Sequence, residues 1–490
     1  MLTAFLIFWP LFVALLLFAF RPQQAKIWAL VAALVELVVS FVVVAMFEKT
    51  GATQFALSVP WVASLGISFS IGIDGISLLL VLLTTLLVPF IVLSSFTNSY
   101  DKPHTFYGLI LVMQMALVGV FTALDGFLFY IFWEMALIPI YFICLIWGGE
   151  NRAGVTFKFF IYTLAGSLIM LVGLLYLYYH TPGAHTFDLQ ALYDAGRVLS
   201  RTEQGWVFWA FFLAFAIKMP VFPFHTWQPD TYAEAPTQGT MLLSGIMLKM
   251  GIYGVIRYLI PLVPAGVQDW GFVALILSVI GIVYASCIAI VQKDFKRLIA
   301  YSSIAHVGLI AAGILTLSKI GIQGAVIQML SHGIIVFALF YIVDIVAQRT
   351  HTRTLAELGG IRNVAPITAT VLLVVMLGSV ALPFTSGFVG EFLLINSLVQ
   401  HSLVIGAIAG LSTILGAVYM LRMYQRTMLG ETSARATDFI DLTLQEKIVL
   451  YPIVVMIIVI GVYPKPLLAL SEPAVNNLVQ LISDFTASVK

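Results

Sequence analysis

The sequence predicts an all-α, polytopic membrane protein of about fourteen transmembrane helices, two of them broken. Three observations lead there. Of the 490 residues, 61% are hydrophobic and only 10% charged, whereas an ordinary soluble chain is about 25% charged. Apolar runs of about 20 residues, long enough to cross roughly 30 Å of hydrocarbon, recur from one end to the other. The polar segments between them, the longest being 48–72 and 180–205, are too short to fold alone, so residues 1–490 read as a single membrane domain.

The runs justify the helices in order. The first, 2–20, has no basic stretch before it and no small-residue cleavage site behind it, and 27–47 follows at once, so it is expected to remain as a span. Runs at 73–96, 104–124, 127–147 and 157–179 come next, with Glu134 mid-span in Phe132-Trp133-Glu134-Met135. The seventh, 206–228, contains Lys218-Met-Pro220-Val-Phe-Pro223. Each proline there removes a backbone donor and crowds the preceding turn, which predicts a break. Runs at 238–260, 270–291, 297–317 and 322–347 carry Lys249, His306 and His332. The twelfth, 366–399, is long enough to hold two half-helices around Leu382-Pro383-Phe-Thr-Ser386-Gly387, and it carries Glu391. Runs at 402–424 and 446–463 complete the set. Broken helices five spans apart predict two repeats, 104–260 and 270–424, with a site near the midplane. Within the tail, 464–490, Val475, Leu478, Val479, Ile482 and Phe485 fall at helical spacing, the pattern of an amphipathic surface helix.

Charge and cysteine usage exclude several functions. A net charge of +1 offers no footprint for nucleic acid. Cys144 and Cys287 are isolated within apolar runs, so no iron–sulfur or zinc site is expected and both are assigned to core packing. No glycine-rich phosphate cradle follows a plausible strand, so NADH, flavin and ATP have no evident place on this chain. Lys and Arg are about twofold enriched in the odd-numbered connections, including Lys293-Asp-Phe-Lys296-Arg297, which the positive-inside rule places in the cytoplasm. Both termini then face outward.

Six ionisable residues fall inside the runs: Glu134, Lys218, Lys249, His306, His332 and Glu391. An ionised side chain at the bilayer centre costs roughly 2.5–3.5 kcal/mol on insertion scales, so such residues pair inside the bundle and mark transport paths. Their order along the chain suggests a relay that passes a proton from Lys218 through Lys249, His306 and His332 to Glu391, with Glu134 ion-paired to Lys218. Structural alternatives stand beside this reading. Glu134 and Lys218 also fit a static buried pair, the two histidines fit helix packing or bis-histidine haem ligation, and Glu391 fits a cap on the second half-helix. Glu36 lies mid-way along the second run without an evident partner. Asp125 and Asp344, near span ends, are expected to be solvated or lysine-paired, and His225, Trp227 and Asp230 to shape the loop after the first break.

The run Ala216-Ile-Lys218-Met-Pro220-Val-Phe-Pro223-Phe-His225-Thr-Trp227-Gln-Pro229-Asp230, continuing through Glu234-Ala-Pro236 to Leu248-Lys249, resembles the signature of the antiporter-like subunits of respiratory complex I and of multisubunit cation/proton antiporters. Phe132-Trp133-Glu134, Lys296-Arg297 through His306-Val-Gly308, Gln328 through His332-Gly333, and Gly387 through Glu391-Phe392 extend the resemblance over residues 70 to 430. Thr231-Tyr232 stands where the family commonly has Ala-His. Glu391 is similar to the subunit-4 type, whose sister subunits have lysine there. The resemblance implies a fourteen-helix subunit with inverted five-helix repeats, spans four to eight and nine to thirteen. It would be a non-redox, proton-translocating part of an NADH:quinone oxidoreductase in the bacterial cytoplasmic membrane. Partners would be sister antiporter-like subunits on both sides and the lipid bilayer; flavin, iron–sulfur clusters and quinone would belong to other subunits, with no cofactor or metal on this chain. A subunit of a cation/proton antiporter and a purely structural membrane spacer are the competing readings.

Overall fold

The computed structural model describes residues 1–488. Helices α1 (Leu2–Phe20) and α2 (Ala25–Met46) lead into a hairpin of antiparallel strands β1 (Gln54–Val62) and β2 (Ile67–Ile73), which turns at Gly66 with φ 62. Asp74 then caps α3 (Gly75–Ser94) by accepting from the backbone amides of Ile76 and Ser77, satisfying donors that a helix start leaves unpaired. Next come α4 (Pro103–Thr122) and a span made of α5 (Gly126–Met135) and α6 (Leu137–Trp147), jointed at Ala136, followed by α7 (Arg152–His180). The short α8 (Leu189–Val198) lies in the connection before α9 (Arg201–Lys218). A turn and α10 (Gln228–Glu234) follow.

The next span is composite: α11 (Thr237–Leu242), a π-turn at Leu243–Met247, α12 (Leu248–Gly254), a second π-turn at Val255–Leu259, and α13 (Ile260–Leu262). Three long helices follow, α14 (Pro264–Val291), α15 (Phe295–Ile314) and α16 (Lys319–Thr350). The short α17 (Ile361–Val364) precedes α18 (Pro366–Ser379) and α19 (Ser386–His401), and α20 (Leu403–Met428), α21 (Leu444–Val462) and α22 (Lys465–Ser488) complete the described chain.

Among the described residues, twelve helices are long and apolar enough to cross a membrane, and they coincide with twelve of the expected spans. The other two are the interrupted ones. α9 stops at Lys218, just before Pro220, and α18 and α19 have only 14 and 16 residues. Between these two lie Ala381 (φ 56) and Phe384 (φ 70), both left-handed without being glycine. Residues held there cost about 1–3 kcal/mol each and need a surrounding structure that enforces them.

The packing is inside-out relative to a soluble protein. Phe12, Phe20, Val38, Val455 and many other large apolar residues of the peripheral helices are exposed, whereas the central apolar stretches of Thr237–Leu262 and Lys319–Thr350 are wholly enclosed. Buried polar side chains collect on these two central elements. α22 packs on α3 and α16, buries Val475 and Leu478, and is tied down by Lys319–Glu472 at 2.8 Å.

Three expectations need correction. The connection 48–72 is a β-hairpin, because Phe55, Leu57 and Phe69 bring apolar surface to lie against the core. Cys287 is exposed on the outer face of α14, not packed in the core, while Cys144 is buried. Asp125 is fully buried, not solvated: it caps α5 through the amides of Phe127 and Leu128 and accepts from Ser68 of the hairpin.

Candidate functional site

Lys249 is fully buried in α12 between the two π-turns. A π-turn inserts a residue into the helical ladder and loosens its carbonyls. Here the Ser244 carbonyl, inside the first π-turn, accepts the Lys249 ammonium at 2.6 Å. Lys249 Nζ also lies 2.9 Å from Nδ1 of His332 on α16. This contact depends on close approach of the two backbones: a Cβ on Gly333 would lie 2.8 Å from the Gly245 carbonyl oxygen.

From His332 the polar axis continues sideways. Its ring centroid is 5.9 Å from that of His306 on α15, and His306 Nδ1 lies 2.8 Å from Glu391 Oε1 on α19. The ring nitrogen is not aligned as a hydrogen-bond donor there, so this is a close contact without hydrogen-bond geometry. Gln328 Nε2 reaches the same Glu391 oxygen at 3.5 Å. Glu391, His306 and His332 are 2%, 7% and 5% exposed, so the axis is closed to bulk solvent. Glu391 lies in the second turn of α19, which starts after Thr385, and so does not cap it. The spatial order is Lys249, His332, His306, Glu391. Sequence order put His306 before His332; α15 and α16 pack so that the later histidine faces the lysine.

Lys218 occupies the last turn of α9, where the carbonyl end of a helix favours a cation. It is 2% exposed and stands over the Trp133 ring at 5.2 Å. The expected ion pair with Glu134 is absent: their charged atoms are more than 4.0 Å apart, and Glu134 Oε1 is buried without a hydrogen-bond partner. The indole of Trp133 takes the face of the ammonium instead, leaving Glu134 to act through space. α9 reaches the span that holds Lys249 by backbone contact, since a Cβ on Gly251 would lie 2.8 Å from the Phe215 carbonyl oxygen.

The remaining predicted residues lie outside this axis. Trp227 Nε1 donates to the Ile217 carbonyl at 2.9 Å, pinning the loop after the break back onto α9. Asp230 bridges Lys158 at 3.2 Å and Arg297 at 3.1 Å, and the His225 ring packs between Phe222 and Tyr284. Both carboxylate oxygens of Glu36 are buried without a partner. Asp344 accepts from Thr237 at 2.5 Å and from Gln348 at 2.8 Å; among the described residues no lysine lies within ion-pairing distance of it, and Lys296 acts on it through space.

Sequence reasoning also passed over Arg257, a charge inside the eighth apolar run. It pairs with Asp74 at the start of α3 and lies against the Tyr253 hydroxyl. Its signal was simply the charge within the run.

A family model described as NADH:quinone oxidoreductase/Mrp antiporter, transmembrane, matches residues 123–416. The chain is 40% identical over 482 residues to NADH-quinone oxidoreductase subunit M of Rickettsia conorii, covering 96% of this chain and 97% of that protein. With NADH-quinone oxidoreductase subunit M of Rhodobacter capsulatus it shares 39% identity over 471 residues, 94% and 91% of the two chains. Among solved structures, a chain of respiratory complex I from Thermus thermophilus with bound NADH superposes with a TM-score of 0.90 at 29% identity, over 98% of this chain and 100% of that one.

Proposed function

Because this chain belongs to the NADH:quinone oxidoreductase/Mrp antiporter membrane family, we propose that it is the proton-translocating, antiporter-like subunit of an NADH:quinone oxidoreductase, of the subunit M kind. The observation that carries this reading is the buried axis Lys249–His332–His306–Glu391, whose consecutive members lie close together across four packed helices. Groups that can each hold or release a proton, shielded from solvent and in near contact, are what stepwise proton transfer requires. The names of the relatives favour a redox complex over a stand-alone antiporter.

In this mechanism the chain carries no electrons. Quinone reduction on other subunits drives it through the sister antiporter-like subunits on either side. Lys218, held by the face of Trp133 and the field of Glu134, is the switched group. If the neighbouring subunit displaces Glu134, the stabilisation of the Lys218 ammonium falls and its proton passes to Lys249. Lys249 delivers to Nδ1 of His332, His332 to His306, and His306 to Glu391, the outward gate beside the broken α18–α19 segment, where the interrupted helix admits water. The helices 104–260 and 270–424 form inverted repeats in this scheme. The basic connections face the cytoplasm of a bacterium and both termini face outward.

The test is proton uptake into proteoliposomes holding the assembled complex, at matched NADH oxidation. Glu391→Gln should block pumping with assembly intact, and Glu391→Lys should keep part of it. Full pumping by Glu391→Gln removes Glu391 from the path.

A further inference from the structure

A cavity of about 590 Å³ opens between the connection 148–151 and Arg353, on the face that carries the basic loops. It reaches inward to Asp344, Lys296 and Thr237, and no step of the relay described above uses it. Lys296 is 5% exposed and donates to the Ala235 carbonyl at 2.7 Å. The Thr240 hydroxyl, fully buried, donates to the Tyr232 carbonyl at 3.0 Å and comes within 3.5 Å of the same Ala235 carbonyl. Ser244 Oγ bonds the Thr240 carbonyl at 2.7 Å, and the Ser244 carbonyl holds Lys249 at 2.6 Å. Thr237, Thr240 and Ser244 are spaced by three and four residues, so they share one face of the span. Asp344 grips the first of them, at the inner end of the cavity.

We propose that Asp344 is the proton-loading carboxylate of an uptake branch that enters the relay at Lys249 along the hydroxyl stripe Thr237–Thr240–Ser244. This rests on the proton-relay reading of the axis and adds where its protons come from. The Asp344 carboxylate takes a proton from water in the cavity and becomes the neutral acid. It releases that proton to water held by the three hydroxyls, and the neutral Lys249 amine receives it, leaving Asp344 ionised again. An apolar stripe would strand such water, since a buried water needs two to four polar partners; the hydroxyls and the carbonyls they flank supply them. Lys249 then has two entries, from Lys218 within the relay and from the cavity. Reloading of the relay therefore need not pass back through Lys218.

The experiment compares Asp344→Ala, Asp344→Glu and the double variant Thr240→Val/Ser244→Ala in the purified, reconstituted complex, with protons pumped per NADH oxidised as the readout. Asp344→Ala should lower the ratio without abolishing it, the remainder entering from Lys218, Asp344→Glu should retain it, and added formate, a small carboxylate that fits the cavity, should restore part of it in Asp344→Ala alone. A merely structural Asp344 would show no such rescue, and that result overturns the proposal. If Asp344→Ala fails to assemble, the hydroxyl double variant decides, since it nearly keeps volume and removes the two hydroxyls between Thr237 and Lys249: an unchanged ratio overturns the branch and a lowered ratio supports it. Lys249→Ala run in parallel separates the two claims. Normal pumping there overturns the relay itself, while blocked pumping with a normal Asp344→Ala overturns the uptake branch alone.

Discussion

Replacing Gly333 by alanine tests the relay without touching any proton-carrying group. The new Cβ would lie 2.8 Å from the Gly245 carbonyl oxygen and 2.9 and 3.0 Å from the Leu83 methyls, where ordinary contact begins at 3.4 Å. Leu83 can rotate, but the carbonyl is backbone in a π-turn of an enclosed span, so α16 must retreat by about 0.6 Å at this point. His332, the preceding residue, moves with it, and its 2.9 Å contact with Lys249 stretches to about 3.5 Å, beyond the range of a strong hydrogen bond. A hydrogen bond to a charged group is worth about 1.5–3 kcal/mol, so the Lys249–His332 transfer should slow by about ten- to hundredfold. The overpacking itself costs about 1–3 kcal/mol, small enough for the chain to fold and assemble. The assay is proton uptake per NADH oxidised in proteoliposomes, with Gly410→Ala as control, because a Cβ there meets no atom within 4 Å. Wild-type pumping by both variants would refute the claim that the Lys249–His332 contact lies on the path.

Other outcomes follow from the same geometry. Lys249→Ala and His306→Ala should each reduce pumping in the reconstituted complex, checked against assembly by native gel; normal pumping in both removes the relay. Trp133→Leu strips the aromatic face from Lys218, a loss of about 0.5–2 kcal/mol for a partly desolvated cation, and should impair pumping while Trp133→Phe largely preserves it. Asp74→Asn leaves the α3 cap but deprives the buried Arg257 of its counter-charge. It should destabilise the complex by about 3–5 kcal/mol, read as an earlier thermal unfolding transition in detergent, with pumping by the surviving fraction unchanged.

The spans were legible because hydrophobic length is a local property, and twelve of the runs read along the sequence coincide with helices long enough to cross. Both breaks were legible too, because Pro220, Pro223 and Pro383 act on their own backbone. What was not legible depends on partners far apart in the chain. Nothing local tells that His332 rather than His306 meets Lys249, since that follows from Gly333 resting on Gly245 across 88 residues of sequence. The Glu134–Lys218 pair failed for a similar reason: mutual cost in lipid argues that two charges find partners, but here the indole of Trp133 was the nearer one for the lysine. The β-hairpin went unseen because its strands, with Pro60 and Gly72 among them, carry serines beside aromatics. Glu36 remains a buried acid for which the structure offers no partner.

The two π-turns around Lys249 also set the angular phase of the whole span. Each residue of an α-helix advances the side chain by about 100°, so a surplus residue on either side of Lys249 fixes the direction in which its amine points. Deleting one apolar residue from Leu243–Met247 would leave every polar group of the site present in the sequence and swing the stripe Thr237–Thr240 about a quarter-turn relative to Lys249. A change in chain length by one, without loss of a single ionisable residue, would therefore disconnect the core of this protein. For this span, residue count is as much a functional constraint as residue identity.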